Sequence, residues 1–271
     1  MRLDLLMFPA IYYLLAGLGV NLGYHRVLSH RSLHLPSWLE HILIALGLPA
    51  GTPIQWAGNH RFHHANTDTP DDPHSPQHGG FWYAHTGWYL GTTAIAPAIL
   101  YALGGPLRTV FDAFWRPHTN QQHNYLARDV ASDSYYRWLS RPGPYATMLL
   151  LLHVFVPAFI AWHFWRTAGL VTFSLTMVIL YNLGDAIDSV AHTFGELLPQ
   201  ARDQSRNSTL LGLLILGEGW HANHHRVPWS ARHGIGPRQF DWTWQVIRLL
   251  RAIGVAQNVR VATPADLADR S

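Results

Sequence analysis

Long apolar runs separated by polar stretches organise this chain. The run 3–24 carries one charge, Asp4, and is long enough to cross a hydrocarbon core of roughly 30 Å as a helix. It lacks the basic segment and small-residue cleavage site of a signal peptide. Two further runs, 145–164 and 170–187, are separated by a short connection containing Arg166, and this pattern predicts a transmembrane helical hairpin. The sequence therefore indicates an integral membrane protein.

A fourth apolar segment, 38–57, has a different pattern. It contains Glu40 and His41 and is interrupted by Pro49 and Pro53. This composition favours a kinked helix that lies in the membrane interface, or one that enters the membrane and returns on the same side.

The polar stretches 58–144 and 193–271 are expected to lie outside the hydrocarbon and to form a helical cap. Most arginines flank the cap, whereas Arg166 and Arg2 fall on the opposite side, so the positive-inside rule places the cap in the cytoplasm. The predicted fold is all-α: a single domain over 1–271, with about three or four membrane helices and a cytosolic helical cap that holds a histidine-ligated dimetal site.

Composition narrows the possible chemistry. Charged residues make up 13% of the chain and hydrophobic residues 48%, whereas soluble domains carry roughly 25% charged residues. There is no cysteine, and all 19 basic residues are arginine. Disulfides, thiolate metal sites, cysteine nucleophiles and lysine Schiff bases are therefore excluded. The net charge of +3 without any arginine run indicates contact with a membrane surface and no nucleic-acid partner.

Histidine is unusually frequent, with 19 residues, and nine of them cluster at the ends of apolar segments. Two triplets have the spacing i, i+3, i+4, so each is expected to present three imidazoles to one point. Nine neutral imidazoles exceed the ligands that one ion accepts, and the pattern therefore indicates two metal ions. The clusters are His25 and His30; His60, His63 and His64; His192; and His221, His224 and His225.

These motifs resemble those of the membrane fatty acyl desaturases, in particular the delta-9 acyl-CoA desaturase branch and its bacterial relatives. HRVLSH at 25–30 resembles the first histidine box of that family, HRFHH at 60–64 the second and GEGWHANHH at 217–225 the third. DSVAH at 188–192 is similar to the family's N-S-x-x-H element. The resemblance extends over about 12–260, nearly the whole chain.

The resemblance implies an oxidoreductase that inserts a cis double bond, of the delta-9 type, into a fatty acyl chain. Two iron ions (Fe2+/Fe3+) and dioxygen as co-substrate would supply the oxidant, because acid–base groups cannot break an unactivated C–H bond and zinc does not change its oxidation state. It also implies a bacterial cytoplasmic membrane with the boxes facing the cytoplasm. The implied ligands are His25, His30, His60, His63, His64, His192, His221, His224 and His225.

Several alternatives remain open at this point. The same diiron core could hydroxylate the chain or convert an alkene to an alkyne, since the outcome depends on how the substrate carbon is held. A non-enzymatic, histidine-rich membrane metal-binding protein is a further alternative, although its ligands would be expected within the spans. The acyl carrier could be CoA, a carrier protein or a lipid ester. Because no cytochrome domain is appended, a ferredoxin, rubredoxin or cytochrome b5-like protein with its reductase is expected as a separate electron donor.

Two features depart from the family pattern. Only one apolar run precedes His25, where the family has two closely spaced spans, so either the N-terminus starts outside the cell or a helix has been lost. Asp188 stands where the family typically carries Asn. It precedes His192 by four residues and shares its helical face, so we expect Asp188 in the metal site, contacting a metal-bound water or the metal itself. The alternative is a pairing with an arginine such as Arg206.

Aromatic and arginine side chains near the boxes are candidates for binding the substrate. Tyr24 precedes His25, and Tyr13 lies roughly 18 Å away along a helix, where it could close an acyl tunnel lined by Trp56. Arg61 could bind a phosphate-bearing carrier. That role is also open to Arg108, Arg116, Arg128 and the stretch 82–88.

Carboxylates near the boxes are expected to orient the imidazoles. A metal-ligating histidine usually donates its second ring N–H to such a group, which fixes the tautomer and the direction of the ring. The candidates are Asp68, Asp71, Asp72 and Glu218.

Overall fold

The computed structural model describes residues 3–268, which are mostly helical. The α-helices are α1 (Leu3–Leu18), α2 (Ser37–Leu46), α3 (Pro53–Asn66), α4 (Pro76–Gly79), α5 (Trp88–Leu90), α6 (Ile95–Ala102), α7 (Pro106–Trp115), α8 (Ser134–Leu139), α9 (Pro142–Leu150), α10 (Val156–Ser189), α11 (Thr209–Leu214), α12 (His221–Arg226), α13 (Trp242–Ala252) and α14 (Pro264–Ala268). Wider, π-helical turns extend α1 over Gly19–Ser29, precede α5 over Tyr83–Gly87 and join α9 to α10 over Leu151–Phe155. Short 3-10 turns occupy Leu48–Ala50, Arg116–His118, Asn124–Ala127, Val130–Ser132 and Val190–His192.

A two-stranded antiparallel ribbon lies between α10 and α11. Strand β1 (Glu196–Leu197) pairs with strand β2 (Arg206–Asn207), with Glu196 opposite Asn207. The connecting loop, 198–205, reaches the histidine clusters, as described below.

Within residues 3–268, two helical segments are long and apolar enough to cross a membrane, Leu3–Ser29 and Pro142–His192. The second turns back on itself where Arg166 leaves the helical conformation, with φ 55° and ψ −137°. Beyond that turn Gly169 packs against the carbonyl of Ala161, so closely that a Cβ at this position would lie 2.3 Å from the oxygen. Only glycine allows this approach of the two arms. The turn falls between the two apolar runs of the sequence.

Helix α1 lies along this hairpin, with its first residues beside the turn. The indole of Trp165 donates a hydrogen bond of 2.8 Å to Asp4, next to Arg166. The opposite ends of the two segments carry His25 and His192, which therefore lie at the same end of the bundle. The buried side chains shared by α1 and the hairpin are Tyr12, Ala161, Phe173, Met177 and Tyr181.

The apolar segment 38–57 is broken, as its proline content indicates. Helix α2 buries Leu43 and Ile44 and leaves two apolar side chains, Trp38 and Ile42, exposed. The turn Leu48–Ala50 follows, and α3 begins at Pro53. Proline at the first position of a helix costs no hydrogen bond, because the N–H group that it lacks would have no partner within the helix there.

Candidate metal centre

Four elements bring the nine clustered histidines together at one end of the bundle. The ring nitrogens form two groups, within each of which the candidate ligand atoms lie within 4.8 Å of one another. The first group, called here site A, contains His25, His30, His60, His64 and His224. The second group, site B, contains His63, His192, His221 and His225.

Each triplet is divided between the two sites, which corrects the expectation that a triplet converges on one point. His60 and His64 belong to site A, whereas His63 belongs to site B. Residues i and i+4 differ by only about 40° around a helix, but i+3 and i+4 differ by about 100°. The outer two members of a triplet can therefore share an ion while the middle one faces a second ion. His221 and His225 likewise share site B, and His224 faces site A.

The spacing of the ring nitrogens fits bound metal ions. In site A the Nε2–Nε2 distances are 2.9 Å for His25–His224, 2.8 Å for His30–His60, 3.1 Å for His60–His64 and 2.9 Å for His64–His224. In site B the distance is 2.9 Å for His192–His221. Two donors bound at right angles, each about 2.1 Å from one ion, would lie about 3.0 Å apart. The residues present thus fit one ion at each site.

The charge state of the imidazoles also suits metal binding. Burial, followed by the charges of neighbouring histidines, lowers the pKa of His60, His64 and His224 well below the usual value. Burial and the charge of His74 lower the pKa of His63 to about 4 despite its hydrogen bond to Asp72. Neutral rings are the form that binds a metal, so these four rings have no proton to release on metal binding at neutral pH.

In the described part of the chain, four carboxylates accept hydrogen bonds from the outer ring nitrogens of the clustered histidines. The Nδ1 atom of His25 lies 2.6 Å from Glu218, that of His63 lies 2.9 Å from Asp72, that of His192 lies 3.0 Å from Asp68 and that of His225 lies 3.2 Å from Asp203. These contacts direct each Nε2 atom toward the metal position.

Three of the four carboxylates expected from the sequence, Asp68, Asp72 and Glu218, contact a histidine in this way, and Asp203 is an additional one. Asp71 is exposed at the surface. Asp203 takes part instead, and sequence reasoning missed it because it belongs to no histidine motif and lies on the loop between β1 and β2. Burial alone would raise the pKa of Asp72, but the hydrogen bond and the charge of His63 have the larger combined effect. The pKa of Asp72 therefore lies below its usual value, and this carboxylate is ionised.

Arg26 joins the first box to the third, a role that the sequence did not reveal. Its guanidinium is fully buried, pairs with Glu218 and lies 3.2 Å from Asp241. Glu218 also lies 3.4 Å from Nδ1 of His233. Gly217 has φ 108°, and a Cβ at this position would lie 2.2 Å from Asp241, so the turn into the third box requires glycine.

An apolar cavity leads away from both sites. It has an empty volume of about 1030 Å³ and is bordered by His25 of site A and His63 of site B, with Tyr13 and Trp56 also in its wall. Its apolar lining includes Ala16, Val20, Leu180, Leu183, Ile215 and Leu216.

Two of the substrate candidates lie elsewhere. Tyr24 is fully buried behind Trp56, and its hydroxyl donates a hydrogen bond of 2.8 Å to the Gly51 carbonyl. The guanidinium of Arg61 is held by Asp129, at 2.6 Å, and by main-chain carbonyls. Neither side chain is among the described residues that line the cavity.

Asp188 borders the cavity and a second, polar chamber beside it with an empty volume of about 400 Å³. One of its carboxylate oxygens lies 3.9 Å from Nδ1 of His74. Arg206, the alternative partner, donates a hydrogen bond to Gln204. Several residues that line this chamber carry a buried polar atom with no hydrogen-bond partner among the described residues: Gln55 Oε1, Asn59 Oδ1, His74 Nδ1, Trp88 Nε1 and Arg116 Nε.

Comparison with known proteins identifies similar sequences over most of the chain. Residues 5–249 match the profile of a family described as fatty acid desaturase. An sn-1 stearoyl-lipid 9-desaturase of Anabaena variabilis is 33% identical over 258 residues, which cover 93% of this chain and 82% of that protein. An sn-1 stearoyl-lipid 9-desaturase of Synechocystis is 30% identical, with 96% and 73% covered. An acyl-CoA C20 Delta5-desaturase of Anemone leveillei is 34% identical, with 93% and 72% covered.

Proposed function

The chain belongs to the fatty acid desaturase family and is an oxidoreductase, and from this premise we propose that it inserts a cis double bond into a fatty acyl chain at a diiron centre. The observation that carries the proposal is that an apolar cavity borders both histidine sites. An acyl chain in this cavity would have its methylene groups beside the metal positions. The Anabaena and Synechocystis relatives favour the delta-9 position, and the Anemone relative shows that the position varies within the family.

The nine histidines of sites A and B would hold two iron ions, which when bound supply the redox chemistry that activates dioxygen. The protein contributes neutral imidazoles whose directions are set by carboxylates, including Glu218 and Asp72. Their negative charges also offset part of the positive charge of the ions. The reaction consumes dioxygen, two electrons and two protons, and it releases two water molecules along with the alkene.

The cavity and the polar chamber suit the two parts of an acyl substrate. The hydrocarbon tail would occupy the apolar cavity up to Tyr13, and the ester or thioester linkage would occupy the chamber. A carbonyl there could accept hydrogen bonds from Trp88 Nε1 and Arg116 Nε, which otherwise lack partners in the described chain. The carrier can then be CoA, a carrier protein or a lipid ester, since each presents such a carbonyl.

The electrons would come from a separate redox protein, either a ferredoxin, a rubredoxin or a cytochrome b5-like protein. We infer that the histidine sites face the cytoplasmic side of a bacterial membrane, because most arginines occur in the polar stretches 58–144 and 193–271, whereas Arg166 lies at the turn of the hairpin. The segments Leu3–Ser29 and Pro142–His192 would span the bilayer.

Expression in a host of defined lipid composition, followed by mass-spectrometric location of new double bonds, tests the reaction. A cis double bond at one fixed position is expected, and a variant with His63 and His224 replaced by alanine serves as the inactive control. A new hydroxyl group or triple bond as the main product would instead support the alternative outcomes for the same centre. An unchanged lipid profile, with metal bound and an electron donor present, would contradict the proposal.

Replacing Tyr13 with alanine is expected to shift the preference toward longer acyl chains. The ring lies in the cavity wall, and removing it lengthens the space available to the tail. One methylene in an apolar pocket is worth roughly 1–3 kcal/mol, so the ratio of kcat/KM between chain lengths should change by about tenfold or more. Competition between acyl substrates of different length measures this ratio. Leu14→Ala, on the exposed face of the same helix, is the control, and an unchanged ratio in Tyr13→Ala would exclude the assigned role.

Asp188 is expected to require a polar side chain but not a charge. Asp188→Asn restores the residue typical of the family and should retain iron and activity. Asp188→Leu should lower kcat by about 10–100-fold, as expected if this carboxylate accepts a hydrogen bond from a metal-bound water. Metal content and turnover of the two variants, measured side by side, check this expectation. Equal activity of the wild-type and Leu proteins would refute a role for Asp188 in the site.

A further inference from the structure

Helices α6 and α7 form a short hairpin with an apolar outer surface. Leu100 is 72% exposed, Leu103 61%, Leu107 78% and Phe114 65%. An apolar surface of this kind is unusual for a segment in water. The exposed faces of the membrane-spanning hairpin have the same character, for example at Leu175.

The turn of the α6–α7 hairpin packs against the middle of the second arm of α10. A Cβ at Gly105 would lie 3.0 Å from the side chain of Val178. Val178 lies 12 residues after Arg166 and 14 before His192, which corresponds to about 18 Å and 21 Å along a helix. Trp115, at the end of α7, lies ten residues from the turn, or about 15 Å, which is half of a hydrocarbon core of roughly 30 Å.

The charged residues of α7 point inward, away from the apolar surface. Arg108 is 3% exposed and binds both carboxylate oxygens of Asp185 in α10, at 2.5 Å and 3.2 Å. Its guanidinium also lies 4.2 Å from the centroid of the Tyr101 ring, and Tyr101 donates a hydrogen bond to the buried Asp112. Paired charges inside and apolar side chains outside are the arrangement of a segment surrounded by lipid.

We propose that α6 and α7 form a re-entrant hairpin in the hydrocarbon of the bilayer, with its turn near the midplane and the Arg108–Asp185 pair fastening it to α10. The occupant of its outer surface is lipid, because this surface continues the exposed apolar faces of the spanning segments at the same depth. The hairpin also contributes Arg108 to the wall of the acyl cavity. The inference revises the expectation that all of 58–144 lies outside the hydrocarbon. It rests on the membrane placement proposed above and not on the reaction.

Single-cysteine spin labelling tests the depth of the hairpin directly, since the chain contains no cysteine of its own. Leu103→Cys and Leu107→Cys place a nitroxide near the turn. Leu175→Cys, exposed on α10, is the reference for lipid, and Ser132→Cys, exposed in the same polar stretch 58–144, is the reference for water. The full chain is reconstituted into phosphatidylcholine and phosphatidylglycerol vesicles, and collision rates with oxygen and with a water-soluble nickel chelate are compared.

The expected oxygen-to-nickel ratio at Leu103 and Leu107 matches that at Leu175 and exceeds that at Ser132. A ratio equal to that at Ser132, with Leu175 still in lipid, would overturn the proposal while leaving the spanning segments intact. Low accessibility to both reagents together with spin–spin broadening would also overturn it, because a second copy of the chain would then cover the surface. An aqueous ratio at Leu175 would instead reject the membrane placement itself, on which the proposal depends. The two hairpin variants are independent, so a failure of one to fold leaves the other to decide.

Discussion

Replacing His224 with alanine is expected to abolish turnover and to reduce the bound metal, while the protein remains folded in the membrane. The Nε2 atom of His224 lies 2.9 Å from those of His25 and His64, in the middle of site A. Its loss removes one of five donors and leaves the remaining nitrogens around an incomplete site. Even the loss of a hydrogen-bond partner of a ligand costs about 10–100-fold, so the loss of the ligand should cost more than about a hundredfold.

Elemental analysis and product formation, measured on the same purified samples, check this expectation. The wild-type protein should hold two irons per chain. His118→Ala is the matched control, because His118 is exposed and belongs to neither site, and it should behave as the wild type. Full activity of His224→Ala, or a single zinc ion per wild-type chain, would contradict the diiron assignment.

Replacing Glu218 with alanine is expected to weaken both the metal site and the fold. Glu218 binds the outer nitrogen of His25 and pairs with the fully buried Arg26. Without it, Arg26 keeps only the longer contact with Asp241 among its carboxylate partners in the described chain. Removing one member of a buried ion pair costs about 3–5 kcal/mol, which corresponds to a fall in Tm of roughly 10 °C for a chain of this size. Metal affinity should fall by about 10–100-fold because His25 loses its orientation.

Thermal unfolding of the detergent-solubilised protein and competition with a chelator measure these two effects separately. Glu196→Ala removes an exposed glutamate on β1 and should change neither. Glu218→Gln retains the shape and one acceptor oxygen, so it should lie between the wild type and Glu218→Ala in both measurements. A Tm and metal affinity of Glu218→Ala equal to those of the wild type would show that the contact network does not stabilise the site.

The histidine triplets show which part of the site can be predicted from helix geometry alone. The spacing i, i+3, i+4 correctly places His60, His63 and His64 along one side of α3, because helix geometry is a property of the chain alone. The assignment of each ring to an ion depends on the neighbouring elements. His30, from the first box, lies beside His60 in site A. His192, which follows α10, lies beside His63 in site B.

The hydrogen-bond partners of the ligands show the same division. Asp72 and Glu218 could be predicted from the sequence, because they lie in or near a histidine motif. Asp203 reaches His225 only because the loop between β1 and β2 folds over α12. No local pattern distinguishes it from any other acidic residue on a loop.

The sequence by itself determined the family, the apolar segments and the histidine positions, because hydropathy and motif spacing are written in consecutive residues. The tertiary structure decided which ring faces which site, where the apolar cavity lies and how α6 and α7 pack against α10. These two helices, at eight and ten residues, are too short to register as spanning segments in the sequence. Their outward apolar surface and inward charges appear only once Arg108 is seen paired with Asp185, a residue 77 positions away.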